Sequence, residues 1–254
     1  MEKNMKVEID ITKTVEQNAA FYYEKAKKSK KKILGAEQAL QQTQKKLLTI
    51  KPEIKKKDLK EVIIKKKKWY EKFRWFTSSE GFLCIGGRDA TTNDIIVRKQ
   101  MQKEDLVLHT EIVGSPFFLI KSEGKTIGVK TIEEAAQATA SYSRAWKHGI
   151  TITDVYCVKP EQVKKELGLP KGTFMIHGQR NYFKPVLQLA IGKKDDIIIG
   201  GPVTAITHQT KNYLIIDQGD MKTSDMAKSI KAKLGGTLEE IQSFLPPGRG
   251  RIKT

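Results

Sequence analysis

An apolar residue recurs at every seventh position near the start of the chain, and a proline then interrupts the repeat. The repeating residues are Ala19, Ala26, Ile33, Leu40 and Leu47. This spacing predicts a helix with one apolar seam, as in a coiled coil, and Thr14 with Gln17 has the spacing of a capping box at its start. Pro52 lacks an amide donor and disfavours helix in the preceding residue. We therefore predict two helices, the second over about residues 53–73, that pair as an antiparallel hairpin.

The same region carries most of the positive charge. The chain of 254 residues has a net charge of +18, and residues 1–74 hold 22 Lys/Arg against 10 Asp/Glu, an excess of +12. Such an asymmetry favours a polyanionic partner, either nucleic acid or an anionic membrane surface. The lysine blocks 55–57 and 65–68 fit a solvated coiled-coil face, an arm that contacts phosphates, or a helix lying on a membrane. The narrow apolar stripe is already used by the seam, so we expect no membrane partner.

Beyond residue 80, short apolar runs alternate with turn residues. These runs predict strands at Phe82–Ile85, Ile95–Val97, Leu106–Leu108, Phe117–Ile120, Asp154–Val158, Thr173–Ile176, Ile197–Ile199, Val203–Ile206 and Tyr213–Ile216. Between the first two runs, Gly86–Asp89 is interpreted as a hairpin turn whose glycines adopt positive φ. Most connections are short, which is typical of an antiparallel sheet.

Helices are predicted among these strands. A long one begins at Thr131, with Glu134 in capping-box position, and ends at Gly149. The shorter ones begin at Pro160 or span Ser224–Leu234 and Leu238–Leu245, the last with a capping box at Thr237 and Glu240. The fold class is therefore α+β: a mainly antiparallel sheet with a packed helix, preceded by an antiparallel helical hairpin and followed by a small α+β unit. We place the domains at 1–73, 74–190 and 191–254, the last with a basic tail at 248–254 that we expect to be mobile.

The sequence offers little for catalysis. Its four histidines lack metal-binding spacing, and no phosphate-binding loop or nucleophile elbow is present, so we predict no metal, no cofactor and no enzyme activity. The two cysteines, Cys84 and Cys157, lie in apolar runs and are expected to be buried free thiols. We therefore expect a reducing compartment, the cytoplasm. No run of 18 apolar residues is present to span a membrane.

Basic and aromatic residues do recur together. Adjacent pairs are Arg74 with Trp75 and Lys147 with Trp146, while Arg180 lies close to Tyr182. Stacking on aromatic rings combined with charge contacts to phosphates is how proteins hold unpaired RNA. The other interpretation is that Trp75, Trp146 and Tyr142 belong to the core.

Several of these segments resemble one known family, motif by motif and in the same order. The matching segments are Trp75–Glu80, Gly86–Asp89 with Asn93, Asp105–His109, Gly114–Pro116, Tyr142–Trp146, Gln162–Val163 with Lys165, and Gly172–Gly178. Together they resemble the NFACT-R domain of the RqcH/NEMF family over about residues 75–183. Residues 14–73 are similar to a shortened form of the family's coiled coil. Residues 198–254 are similar to the C-terminal part of archaeal members.

The resemblance implies RNA binding in ribosome-associated quality control by a shortened, archaeal-type form without the NFACT-N domain. The implied partners are rRNA or tRNA on the large ribosomal subunit, and the hypothesis allows a separate NFACT-N-like protein as a further partner. Our candidate RNA-binding residues are Arg74, Trp75, Arg88, Asp89, Asn93, Lys99, His109, Lys147, Lys165 and Arg180. The alternative hypothesis is a coiled-coil scaffold for other proteins without RNA contact. An enzyme acting on RNA would need catalytic groups that only folding brings together.

Overall fold

The computed structural model describes residues 8–49 and 68–253. The chain divides into two compact units, Met1–Lys65 and Lys66–Thr254. No helix within the described ranges is long and apolar enough to cross a membrane. The predicted α+β class is confirmed, because helices accompany sheets in which every strand pair is antiparallel.

The described part of the first unit contains one long helix, α1 (Val15–Thr49). Its start is the predicted capping box: the Gln17 amide donates to Thr14 Oγ1 at 3.3 Å, and the Thr14 amide donates to Gln17 Oε1 at 3.1 Å. The predicted second helix falls mostly on residues 50–67, outside the described residues, and so do the lysine blocks apart from Lys68. Its described end, residues 68–73, forms turns instead of helix.

The second unit holds twelve strands among its described residues. They are β1 (Arg74–Thr77), β2 (Leu83–Gly86), β3 (Leu106–Thr110), β4 (Phe118–Ile120), β5 (Val155–Val158), β6 (Val163–Lys164), β7 (Met175–Ile176), β8 (Asn181–Phe183), β9 (Leu189–Lys194), β10 (Ile197–Gly201), β11 (Tyr213–Met221) and β12 (Gly250–Lys253). The first sheet has the order β1-β2-β4-β3-β5-β8 and the second β10-β9-β11-β12, while β6 pairs with β7.

Six helices accompany these strands in the described part of the unit. They are α2 (Ala90–Ile95), α3 (Val129–Ser141), α4 (Arg144–Lys147), α5 (Val203–Gln209), α6 (Thr223–Leu234) and α7 (Leu238–Phe244). A π-helical turn, Ile96–Gln100, continues α2, and a 3₁₀ turn, Pro160–Gln162, precedes β6.

Helix α3 lies at the centre of the core. It contacts β3, β4 and β5 of the first sheet and β9 of the second. The four alanines 135, 136, 138 and 140 are all fully buried, so the helix approaches its neighbours closely without side chains to hold them apart. One hydrophobic core consequently includes residues of both sheets, from Phe76 in β1 to Ile216 in β11. The predicted domain boundary at residue 190 stays a prediction.

Several predicted elements are confirmed. Strands β3 and β4 pair antiparallel with Leu108 opposite Phe118, and β5 covers most of the predicted run from Asp154 to Val158. Helix α7 begins with the predicted capping box, in which Thr237 Oγ1 accepts from the Glu240 amide at 3.2 Å. These elements carry strong local signals, either an apolar run or a cap.

The predicted strand Ile95–Val97 is wrong, and so is the glycine turn before it. Asp89 Oδ1 accepts from the Thr92 amide at 2.8 Å, and the Asp89 amide donates to Thr92 Oγ1 at 2.9 Å. This capping box starts α2, so the β-branched residues that follow are helical. Gly86 and Gly87 do not have positive φ. Glycine is needed here because there is no room for a side chain: a Cβ on Gly87 would lie 1.8 Å from Asn93 Oδ1.

The predicted cap at Thr131 and Glu134 is also wrong. Gly128 occupies the N-cap of α3, and Thr131 instead donates from its amide to Glu80 Oε2 at 2.9 Å. The predicted single helix is two, because Ser143 caps α4 through the Ala145 amide at 3.1 Å. The partner of Thr131 is 51 residues away in sequence, which local spacing does not reveal.

Four further predictions differ from the structure, and one strand was not predicted. The predicted strand Val203–Ile206 is helix α5, which follows Pro202 and buries Ala205 and Ile206. The tail predicted to be mobile forms β12, paired with β11. The helix predicted at Pro160 is only a 3₁₀ turn. The strand predicted from Thr173 to Ile176 is reduced to the two residues of β7. Strand β9 was not predicted.

The crowding at Gly87 leads to a stability prediction. Gly87→Ala places a methyl group against the side-chain amide of Asn93. The oxygen of that side chain accepts a hydrogen bond from the Phe117 backbone amide at 3.1 Å. We expect the free energy of unfolding to fall by about 1–3 kcal/mol in urea titrations. Because the clash needs the Asn93 side chain, Gly87→Ala should cost less in an Asn93→Ala background. Equal costs in the two backgrounds would contradict this account.

Candidate nucleic-acid interface

A basic cleft of about 860 Å³ opens between segments that are distant in sequence. Its walls come from the start of α2, the β3–β4 connection, α4 and the loop before β7. Six of its residues are cationic, namely Arg74, Arg88, Arg144, Lys147, Lys171 and Arg180. Two are acidic, Asp89 and Glu111. This excess of positive charge in a concave surface is suited to a polyanion.

Arg74 is the most constrained of these cations. Its guanidinium lies over the ring of Tyr142, 4.0 Å from the ring centroid, and Nη1 donates to the Leu245 carbonyl at 3.1 Å. The Tyr142 hydroxyl donates to the neighbouring Phe244 carbonyl at 2.8 Å. Burial lowers the pKa of Arg74 from its ordinary value, and the charge of Arg88 adds to that decrease. Arg74 is therefore a desolvated cation fixed at the base of the cleft.

Arg88 lies beside it, in the segment between β2 and α2. Its Nη2 donates to the Phe73 carbonyl at 2.9 Å, and burial of the guanidinium lowers its pKa as well. Among the described residues, neither Arg74 nor Arg88 forms an ion pair with a carboxylate. Two neighbouring cations without a paired anion repel each other, and an anion bound between them would offset that repulsion.

Two predicted residues, Asp89 and Asn93, line the cleft and stabilise its backbone through hydrogen bonds. Asp89 caps α2, and the pKa of its carboxyl is lowered mainly by hydrogen bonds from Thr92 and to a smaller degree by the charge of Lys171. Asn93 is buried and bridges α2 to the β3–β4 connection, accepting from the Phe117 amide at 3.1 Å. Both residues hold the backbone that carries Arg88.

His109 contributes a neutral ring. It stacks in parallel on Phe117 with centroids 3.9 Å apart, and Nδ1 donates to the Pro116 carbonyl at 2.9 Å. Burial lowers its pKa to about 4, although the hydrogen bond to Pro116 acts in the opposite direction. His109 is therefore uncharged at neutral pH and adds an aromatic edge, not a cation, to the cleft.

Arg180 and Lys147 differ in how their charges are compensated. Arg180 pairs with Glu111, and its guanidinium lies 4.7 Å from the centroid of Tyr156. Lys147, on α4, is exposed, and no ion pair involves it among the residues that the structure describes. Lys147 thus keeps its full charge for a ligand, whereas that of Arg180 is largely balanced.

Three predicted residues do not line the cleft. Trp75 packs between Tyr70 and Phe244, with ring centroids 5.0 and 5.5 Å away. Lys99 is exposed on the π-helical turn after α2. The ammonium of Lys165 donates to the carbonyls of Leu169 and Thr173, each at 3.0 Å, and so holds its own loop together.

Two exposed cations of the cleft, Arg144 and Lys171, were not among the predicted residues. Arg144 lies inside the motif Tyr142–Trp146, and Lys171 directly precedes the motif Gly172–Gly178. Their positions within or beside matching segments were the available signal. Among the described residues, no cluster of His, Cys, Asp and Glu is suited to hold a metal ion.

The cleft coincides with a known domain. Residues 72–178 match the family model described as the NFACT protein RNA binding domain. This segment contains every residue that lines the cleft except Arg180 and Pro247. The second unit therefore carries an NFACT-type RNA-binding domain, as the motifs predicted.

Relatives of known name extend the match beyond this domain. The archaeal Rqc2 homolog aRqcH of Methanocaldococcus jannaschii is 39% identical over 202 residues, which cover 75% of this chain and 30% of that protein. The ribosome quality control complex subunit NEMF of Homo sapiens is 37% identical over 66% of this chain and 16% of its own length. Over the matched residues the chain is similar to members of the RqcH/NEMF family, and it spans less than a third of either relative.

A solved structure also resembles the chain. It is the C-terminal part of the fibronectin/fibrinogen-binding protein from Streptococcus suis, with a TM-score of 0.41 and 18% identity. The match covers 51% of this chain and 49% of that one.

The neutral histidine leads to a prediction about pH. The unfolded chain takes up a proton at His109 near its ordinary pKa of 6.5, whereas the folded protein stays neutral until about pH 4. The free energy of unfolding should therefore fall between these two values, by up to about 3 kcal/mol. Urea titrations at pH values from 7 to 4 measure this free energy of unfolding. The substitution His109→Phe should make it depend less on pH. An NMR titration of His109 with a midpoint near 6.5 would refute the prediction.

Proposed function

We propose that this chain is a non-enzymatic RNA-binding protein of ribosome quality control, and that the basic cleft binds the RNA backbone. The observation that carries the proposal is the adjacent placement of Arg74 and Arg88 without a carboxylate partner among the described residues. The family of the domain and the names of the relatives support the biological setting.

A phosphate group is the anion that fits this pair best. Guanidinium groups donate to phosphate oxygens in a planar, bidentate geometry, and such bonds are strong where water is excluded. Arg74 and Arg88 are held in place by carbonyl groups, so little conformational entropy is lost on binding. A phosphate between them supplies the missing negative charge.

The exposed cations extend the contact along the RNA backbone. Arg144, Lys147 and Lys171 surround the cleft, and each neutralised phosphate releases condensed counterions. Of the other predicted residues, Asp89 and Asn93 position Arg88, and His109 and Arg180 line the cleft as well. We assign Trp75 and Lys165 to packing and leave Lys99 as a contact outside the cleft.

The RNA in this proposal is rRNA of the large subunit, tRNA, or both. We also propose a cytoplasmic location and a separate NFACT-N-like protein as a partner. The absence of a catalytic role is part of the same proposal.

A protein scaffold is the second candidate, favoured by apolar side chains on α1. Ile33 and Leu40 of the predicted seam are 58% and 60% exposed, which leaves them available to another helix. Deletion of residues 14–68 distinguishes the two functions. RNA binding that survives this deletion favours the cleft, whereas loss of a partner protein in the absence of any RNA binding favours the scaffold.

The RNA proposal predicts a specific effect of charge in the cleft. Filter-binding titrations with large-subunit rRNA and with tRNA should show affinity that falls steeply with salt. The double substitution Lys147→Glu and Lys171→Glu should weaken binding by about tenfold or more and reduce the salt slope, because both side chains are exposed and folding does not need them.

Two further variants sharpen the measurement. Arg88→Gln removes one of the paired guanidinium groups and should weaken binding to both RNAs alike. Lys103→Glu changes the charge of an exposed residue away from the cleft and serves as the control with near-normal affinity. Affinity without salt dependence, or equal binding by all variants, would overturn the proposal.

A further inference from the structure

A second cavity, of about 770 Å³, lies between α3, α5 and the segment that joins β8 to β9. The face of α3 that carries Lys130, Glu134 and Gln137 forms one side, and Thr204, Thr207 and His208 of α5 form another. None of the residues that line it lines the basic cleft. The cavity has the size of a small-ligand site, and it is independent of the function proposed above.

The cavity is held open by hydrogen bonds through Gln137. Its amide nitrogen donates to the Val186 carbonyl at 3.3 Å, and its amide oxygen accepts from the Val203 amide at 3.0 Å. One side chain therefore ties α3 to both other walls. A cavity braced in this way loses little entropy when a ligand enters.

Glu134 is a buried carboxylate with one unsatisfied oxygen. Its residue exposure is 4%, and Oε2 accepts from the Ser79 amide at 2.9 Å. Oε1 is the one buried side-chain nitrogen or oxygen among the described residues without a hydrogen-bond partner. An unsatisfied buried acceptor is costly. Glu134 lines the cavity. Because the last torsion of glutamate is broad, a rotation about it would turn this oxygen toward a donor bound there.

The remaining walls combine apolar surface with charged residues, two lysines and one glutamate. Phe183, Pro185 and Val186 offer a hydrophobic surface, and Val186 is 55% exposed. The exposed residues Lys130 and Lys184 stand at the rim with Glu133, and Lys184 is 3.9 Å from Asp154. A ligand that matches this arrangement has a flat apolar body, a donor at its inner end and negative charge outside.

We infer that this cavity binds a nucleotide whose base carries an exocyclic amino group. The amino group donates to Glu134, the base lies against the wall of Phe183 and Pro185, and the phosphate meets Lys130 and Lys184. A simple organic cation would satisfy Glu134 but would face the two lysines of the rim. The nucleotide is either free or part of an RNA strand, since both present the same chemistry.

Calorimetric titration of the full chain with CMP and UMP tests the inference most directly. The two nucleotides have nearly the same size, but only cytosine has an exocyclic amino group, so CMP should bind about tenfold or more tightly than UMP. Glu134→Gln replaces one carboxylate oxygen by a donor, and it should remove this preference or reverse it. Val186→Trp, at an exposed position, should block the cavity and weaken CMP binding even if Glu134→Gln fails to fold.

Short oligocytidylate and oligouridylate distinguish the two sources. A preference for CMP supports a free nucleotide, and a preference seen only with oligocytidylate supports a base within a strand. Repeating both titrations with the Lys147→Glu, Lys171→Glu variant separates this cavity from the cleft, because the preference should persist there. Equal binding of cytosine and uracil forms, no binding of either, or tighter binding of butylammonium than of CMP would overturn the inference.

Discussion

The contact of Arg74 with Tyr142 joins the parts of the second unit on which the cleft is built. Arg74 is the first residue of β1, and its guanidinium lies 4.0 Å from the centroid of the Tyr142 ring at the end of α3. The two side chains donate to the consecutive carbonyls of Leu245 and Phe244 at the end of α7. One cation thereby connects the first sheet, the central helix and the C-terminal helices. The structure keeps this charge buried, and in doing so it presents a desolvated guanidinium to the cleft. Packing and the positive charge of the cleft depend here on the same side chain.

The fold could be predicted where the signal was local. The apolar runs of β3, β4 and β5 and the capping boxes of α1 and α7 each act over a few residues. The failures have physical causes of two kinds. At Asp89, side-chain hydrogen bonds begin a helix against the strand preference of the following β-branched residues. At Thr131, a partner 51 residues away replaces the expected cap, and a distant partner leaves no local pattern.

The candidate site, too, could be predicted only in part from the sequence. The motifs and the basic–aromatic pairs singled out Arg74, Arg88 and Lys147, which the fold brings to one cleft. They also singled out Lys165 and Trp75, whose roles depend on carbonyl groups and rings that only folding places beside them. Residue type and motif thus indicate which side chains matter. Whether a charge is free, paired like that of Arg180, or absent like that of His109 is decided by its surroundings.

The base of the cleft has a consequence for when the protein becomes functional. Leu245 holds Arg74 and Pro247 lines the cleft, although the remainder of the site lies between residues 74 and 180. A ribosome synthesises a chain from its N-terminus, and segments fold as they emerge. The matching domain is therefore made long before the residues that complete its binding surface. Until they arrive, Arg74 lacks its carbonyl acceptor at Leu245 and the base of the cleft is incomplete.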